Sequence, residues 1–462
     1  MAHHTRILPR VSIPPFLDSP RGVVKHTFPV ADAPIAVLVN QRVFPGPASA
    51  GLSHAGERVL LVPGFTGSKE DFIAVLQPLA AAGVAAVAMD QRGQFESASV
   101  APAKFTLAAH AADLRLLAET CWPDGPRPHL VGHSFGGLVA RMAVISAPDS
   151  FASLTLLDSG PGSLPAHQHP DLRALQAALP EIDLAAIWQL QQELAAARGT
   201  RTAVPADIAD FLRRRWLAND PQALHSAAEI LLNEPDRVVA LRATGVPTAV
   251  LFGTTDDVWL PETQISMAER LHALACSQMW GEGHSPAASA PAATTAALLG
   301  FWSLLRPASA ALPRSRLVAE SDGYISNMAV YFEGTSDLRA IRHAVRAQTD
   351  AWGFTAVADD VELVTSELLS NASQHGSGVA WVGLHAGHER VRVEVSDHNH
   401  RLPRPLQPTS TQPHGRGCQV VAALSTSWGV VPSPDGKTVW AEVSTESDEP
   451  DVGDHNGPAA GR

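Results

Sequence analysis

The chain has 462 residues, 45% of them apolar and 17% charged, which is enough apolar mass for two or three domain cores. A formal net charge of -12 argues against nucleic acid as the main partner, and three scattered cysteines (Cys121, Cys276, Cys418) exclude a disulfide framework or a zinc-ligand spacing. No apolar segment follows Met1, and the alanine-rich run 73–89 is broken by Gln77, Pro78 and Gly83, so neither a leader nor a membrane span is expected and the expected location is cytoplasmic.

Residues 1–22 read as an irregular lead-in. Runs 23–30 and 35–44 read as paired edge strands, 45–56 as a loop, and 58–62 as a third strand entering Pro63-Gly64-Phe65-Thr66-Gly67-Ser68. A helix over 68–82 then leads to a strand at 84–89 and the turn Asp90-Gln91-Arg92-Gly93, and 107–120 is an amphipathic helix. Next, the strand 129–133 runs into Gly132-His133-Ser134-Phe135-Gly136, followed by a helical pattern with Leu138, Val139, Met142 and Ile145 on one face. A serine nucleophile needs its hydroxyl pushed clear of the backbone beside a base. A sharp strand-to-helix turn does that while crowding the positions two before and two after, and glycine at 132 and 136 relieves the crowding.

Another strand, 154–158, ends on Asp158. From 160 to 242 the pattern becomes helical and rich in Gln, Ala and Leu. There Phe211 and Trp216 share an apolar face with Ile208 and Leu212 and read as core, while Arg213-Arg214-Arg215 reads as a solvated face. A buried strand over 246–252 leaves through Gly253-Thr254-Thr255-Asp256-Asp257, and a strand at 276–280 is followed by Gly281-Glu282-Gly283-His284-Ser285-Pro286. Helices after Pro261 and over 287–305 close this part. About eight strands separated by helices imply a doubly wound α/β sheet.

The order Ser134, Asp256, His284, each just past a strand, resembles the α/β-hydrolase superfamily. The resemblance implies a serine hydrolase of a small acyl ester that needs no cofactor: Ser134 as nucleophile, His284 as base and Asp256 as the acid that holds the imidazole. Asp256 stands three residues past Gly253, where the family places its acid; Asp257 beside it and Asp158, where a few relatives carry theirs, are the alternatives. It also implies an oxyanion hole from the Phe65 and Phe135 N–H groups and a helical cap over 161–243. Related enzymes that open epoxides or remove halides carry aspartate at the elbow, so serine there favours acyl transfer.

Residues 306–322 form a Pro/Ala/Ser/Arg linker, after which the pattern restarts. A strand at 328–332 precedes a helix over 336–351 with Leu338, Ile341 and Val345 inside. The next helix, 359–374, leads into His375 and sets Glu367, Asn371 and His375 on one stripe at i, i+4 and i+8. A hairpin (379–386, 390–396) ends at Asp397, Gly415-Arg416-Gly417 opens a helix, and 438–443 is a last strand. These elements resemble the histidine-kinase-like (GHKL) ATPases, an α+β sandwich, and most closely the bacterial anti-sigma-factor serine kinases.

That resemblance implies ATP and Mg2+: Asn371 on the metal and phosphate, Glu367 orienting water or a hydroxyl, and His375 completing the stripe. Asp397 would meet adenine, and Gly415 and Gly417 would belong to the lid. His398-Asn399 after Asp397, instead of x-Gly, favours binding over turnover. His343 sits on a packing helix and does not read as a phospho-acceptor. The organisation expected is thus a hydrolase domain at 23–305, an ATP-binding domain at 323–445 and a disordered acidic tail at 446–462. Two functions follow: a hydrolase with a regulatory nucleotide domain, or a signalling kinase for a protein partner with the hydrolase fold as ligand sensor. The complete Ser134/Asp256/His284 order favours the first.

Overall fold

A computed structural model describes residues 12–30, 33–43, 56–97, 104–197, 204–279, 282–305, 324–331, 338–375, 379–387, 389–399, 417–433 and 436–445. Two compact units are present, residues 1–317 with 328–336, and 318–327 with 337–462. In the first, the strands are β1 (Val23–Val30), β2 (Ala33–Asn40), β3 (Arg58–Val62), β4 (Ala85–Met89), β5 (His129–His133), β6 (Ser153–Leu157), β7 (Thr248–Gly253) and β8 (Ala275–Met279). They lie in the order β1-β2-β4-β3-β5-β6-β7-β8, antiparallel from β1 to β4 and parallel beyond. Every residue of β4 to β7 is buried, as expected of parallel strands covered on both faces. β1 instead leaves four consecutive positions exposed, in keeping with an edge.

The reading of the second strand to residue 44 was too long. β2 stops at Asn40, whose buried amide takes over the pairing: Nδ2 donates to the Leu76 and Val84 carbonyls and Oδ1 accepts from Ala86 N–H. Flanking helices are α1 (Ile73–Ala82), α2 (Leu107–Cys121) and α3 (Phe135–Ser146). A 3-10 turn at Lys69–Phe72 precedes α1, and Gly83 ends it in the left-handed region (φ 100°), where only glycine sits without strain.

Between β6 and β7 come α4 (His169–Ala178), α5 (Leu184–Ala197), α6 (Ala206–Leu217), α7 (Pro221–Asn233) and α8 (Val238–Arg242). On α6, Phe211 and Trp216 are buried, and the indole N–H of Trp216 donates to the Leu184 carbonyl at 2.8 Å. Of the three arginines read as solvated, 213 and 214 are exposed but Arg215 is not. Four residues after Phe211, it falls on the inward stripe. There it is bonded to Asp71 Oδ1 at 2.6 Å and to the Ser12 carbonyl at 2.7 Å. After β7 follow α9 (Pro261–Leu271), α10 (Pro286–Ser289) and α11 (Pro291–Leu304).

The second unit contains α12 (Leu338–Ala351) and α13 (Ala358–His375), preceded in the chain by β9 (Tyr324–Tyr331). Its antiparallel sheet runs β10 (Val379–Gly387), β11 (Arg390–Asp397), β13 (Gly436–Ser444), β12 (Ser427–Ser433), with α14 (Gly417–Leu424) before β12. Val391, Val393 and Val395 alternate to one buried face of β11, against which α13 packs. β12 is absent from the sequence reading because Gly429 and Pro432 break its pattern. It lies last in the strand order, where a proline's missing N–H is tolerated. Gly415, the linker 306–322, the tail 446–462 and the His375 side chain lie outside the described residues.

Candidate active site

Ser134 stands between β5 and α3 at φ 54° and ψ −121°, a strained position for a residue with a side chain. A Cβ on Gly132 would collide with the Gly136 carbonyl, and one on Gly136 with the Val62 carbonyl, so both glycines are required by close backbone approach. Ser134 N–H donates to the Leu157 carbonyl at 2.9 Å, and Ser159 Oγ donates to the Ser134 carbonyl at 2.8 Å. The turn is thereby tied to the end of β6.

His284 arrives on the segment after β8. Its Nε2 lies 2.9 Å from Ser134 Oγ and its Nδ1 lies 2.9 Å from Asp256 Oδ1. Val258 N–H also donates to Asp256 Oδ1, and Gln264 Nε2 donates to Oδ2, each at 2.9 Å. With Asp256 accepting from Nδ1–H, the Nε2 lone pair faces the serine hydroxyl. All three side chains are buried. The backbone carbonyl of Asp257 accepts from Gln168 Nε2, just before α4, at 2.7 Å. Asp158, the other alternative, is fully buried at the end of β6 and accepts the Gly253 N–H at 2.9 Å through Oδ1.

The segment after β3 presses on the elbow: a Cβ on Gly64 would come within 3.2 Å of Ser134 Cβ. Its carbonyls are held by side chains from the turn after β4, with Gln91 Nε2 donating to Pro63 O (2.9 Å) and Gln94 Nε2 to Gly64 O (2.7 Å) and Phe65 O (3.1 Å). Among the described residues neither the Phe65 nor the Phe135 amide N–H has an acceptor.

Reasoning from the sequence missed Gln91, Gln94 and Gln264, and it gave His133 no role. His133 Nε2 donates to the His284 carbonyl at 2.6 Å, fixing the segment that carries the second imidazole. Burial, aided by His284, pushes its ring down to about 3, so it is a neutral donor. A polar residue inside a wholly buried strand was the available signal.

In the second unit, Glu367 and Asn371 are half-buried on α13. A Cβ on Gly417, at the start of α14, would lie 2.7 Å from Glu367 Oε2 and 3.3 Å from Asn371 Nδ2, so the structure brings these three together. Carboxylate and amide oxygens beside a helix start are the hard donors Mg2+ takes and the setting phosphate favours, so this set fits a metal–nucleotide. Asp397 stands apart in chemistry. Its buried Oδ1 accepts from Lys437 Nζ at 2.7 Å and from Asn399 N–H at 2.8 Å, a lysine partner absent from the sequence reading.

The profile of the Alpha/beta hydrolase family matches residues 59–298, and that of the Histidine kinase-like ATPase domain matches residues 334–443. A protein of Variovorax paradoxus named "Putative carbamate hydrolase RutD" is 38% identical over 105 residues, which is 22% of this chain and 38% of that protein's length. Similar solved structures include a thermophilic esterase from Thermogutta terrifontis, 23% identical with a TM-score of 0.47, covering 62% of this chain and 99% of the other. The enol-lactonase from Burkholderia xenovorans is 15% identical with a TM-score of 0.48, covering 60% of this chain and all 100% of its own.

Proposed function

The chain belongs to the alpha/beta hydrolase family through residues 59–298, and from that premise we propose that it is a serine hydrolase acting on a small acyl ester or a related acyl compound. One observation carries the reading: the His284 imidazole spans from Ser134 Oγ to Asp256 Oδ1 with 2.9 Å at each end. In the proposed reaction Ser134 Oγ attacks the acyl carbon as His284 Nε2 takes its proton, and Asp256 stabilises the imidazolium that forms. The Phe65 and Phe135 N–H groups receive the developing oxyanion. The imidazolium then protonates the leaving alkoxide, leaving the acyl group on Ser134, and water repeats the sequence to release the acid.

In the same reading the histidine-kinase-like domain binds nucleotide and regulates the hydrolase or a protein partner, with Glu367, Asn371 and Gly417 holding Mg2+ and phosphate. ATP, when bound there, would supply a phosphoanhydride. Among the described residues no helix is long and apolar enough to cross a membrane. The free thiols of Cys121 and Cys276 support the further proposal of a reducing, cytoplasmic setting.

The test uses the full chain. A serine-directed phosphonate should label the wild type, and Ser134→Ala should abolish labelling and cut short-ester turnover by about 10⁴-fold or more without lowering thermal stability. Labelling that survives the substitution would move the nucleophile elsewhere and end the proposal.

A further inference from the structure

A second carboxyl lies beside the one that accepts from His284. β6 and β7 run parallel with Leu157 opposite Leu251, so the segments leaving them start side by side, one beginning with Asp158 and the other carrying Asp256. Asp158 is built firmly into this corner. Its φ is 43°, its N–H donates to the Leu251 carbonyl at 2.8 Å, and its Oδ1 accepts from Gly253 N–H. Asp158, Asp256 and His284 each place an atom within 4.8 Å of the others.

The two carboxyls are unequally supplied. Asp256 accepts from three donors, namely Val258 N–H, Gln264 Nε2 and the His284 ring. Asp158 accepts from one, and its buried Oδ2 meets no donor among the described residues. What faces it is Asp256, another acceptor, and the charges that bear on it from the neighbouring segments are those of Asp256 and Glu282, both negative, with the His284 ring close by. Two adjacent carboxylates in a dry pocket cannot both stay ionised, and the one with more donors keeps the charge. Burial first, and then Asp256, lift the Asp158 carboxyl well above the ordinary carboxylate range.

We propose that Asp158 is a positioning residue of the site, un-ionised at neutral pH, whose carboxyl O–H donates to the Asp256 carboxylate and leaves that corner with a single negative charge. The proposal rests on the hydrolase reading for its effect on turnover, though not for the protonation itself. A proton on Oδ2 turns an acceptor facing an acceptor into a short charge-assisted bond that orients Asp256. It also leaves one negative charge, not two, beside the His284 ring.

The experiment compares full-length wild type, Asp158→Asn and Asp158→Ala. The infrared difference between wild type and Asp158→Asn at pH 7 should show the carbonyl stretch of an un-ionised carboxylic acid present only in the wild type. Loss of carboxylate bands in its place overturns the proposal, whether or not any ester is turned over. Among phosphonate-reactive proteins, Asp158→Ala should lower kcat roughly tenfold with KM little changed. Asp158→Asn, which keeps a neutral donor, should restore most of that loss and the wild-type acid limb of the pH profile. Equal activities for the two variants, high or low, overturn the positioning role. Absent phosphonate labelling of the wild type would instead strike at the nucleophile, leaving the infrared result to decide Asp158.

Discussion

Two imidazoles are carried into the N-terminal core uncharged. Burial pushes His133 and His110 each from 6.5 down to about 3, helped by His284 in one case and by Arg92 in the other. The folded values lie below the unfolded ones, so their stabilising effect is full above pH 6.5 and is lost as pH falls toward 3. In that window the unfolded chain holds a proton that the folded chain refuses. Each ring then contributes about 1.4 kcal/mol of destabilisation per pH unit. His110 is the cleaner one to test, because neither ring nitrogen has a partner among the described residues and its ring meets Phe135 in a T-shaped contact. His110→Leu should flatten the dependence of the urea midpoint between pH 6 and pH 4 by about one proton's worth. An unchanged slope would show that the ring is charged in the folded protein. Histidine at 133 is visible inside the Gly-x-Ser-x-Gly segment, yet its bond to the His284 carbonyl joins residues 151 apart and has no local trace.

Among the elements, α6 shows how one side chain changes a helix's role. Arg215 reaches past its own helix to Asp71, and both are buried, so the pair tethers the helical insertion to the turn before α1. Asp71 Oδ2 also accepts the Ser68 N–H at 3.2 Å, so losing the arginine strands a carboxylate that shapes that turn. Arg215→Ala should cost about 3–5 kcal/mol in denaturant unfolding, the usual result of leaving one buried charge alone. Removing both charges together, as Arg215→Met with Asp71→Asn, should recover a large part. Additive losses would show that the two do not interact. The parallel strands were legible because burial on both faces makes them continuous apolar runs. The end of β2 and the existence of β12 were not, since an asparagine amide and an edge position override local pattern there.

For the molecule as a whole, the chain matches two different family models, and the proposed nucleotide site is testable without any knowledge of the ester. Asn371→Ala in the full-length protein should weaken Mg2+–ATP binding in a calorimetric titration about tenfold, the worth of a lost hydrogen bond to a charged group. Unchanged affinity would count against placing the metal–phosphate at α13. Much of the architecture could be read from the linear chain: alternation of strands and helices, and the glycines that a tight elbow demands. Such features are written in neighbouring residues, because backbone crowding and amphipathic period act over a few positions. Which of three aspartates accepts from His284, what holds the Gly64 loop, and the Asp397–Lys437 pair were decided only by packing. Those contacts join groups 28, 30 and 40 residues apart, and the Ser134–His284 contact spans 150. At such separations the meeting of two groups is set by which strands lie side by side, and no short stretch of chain encodes that.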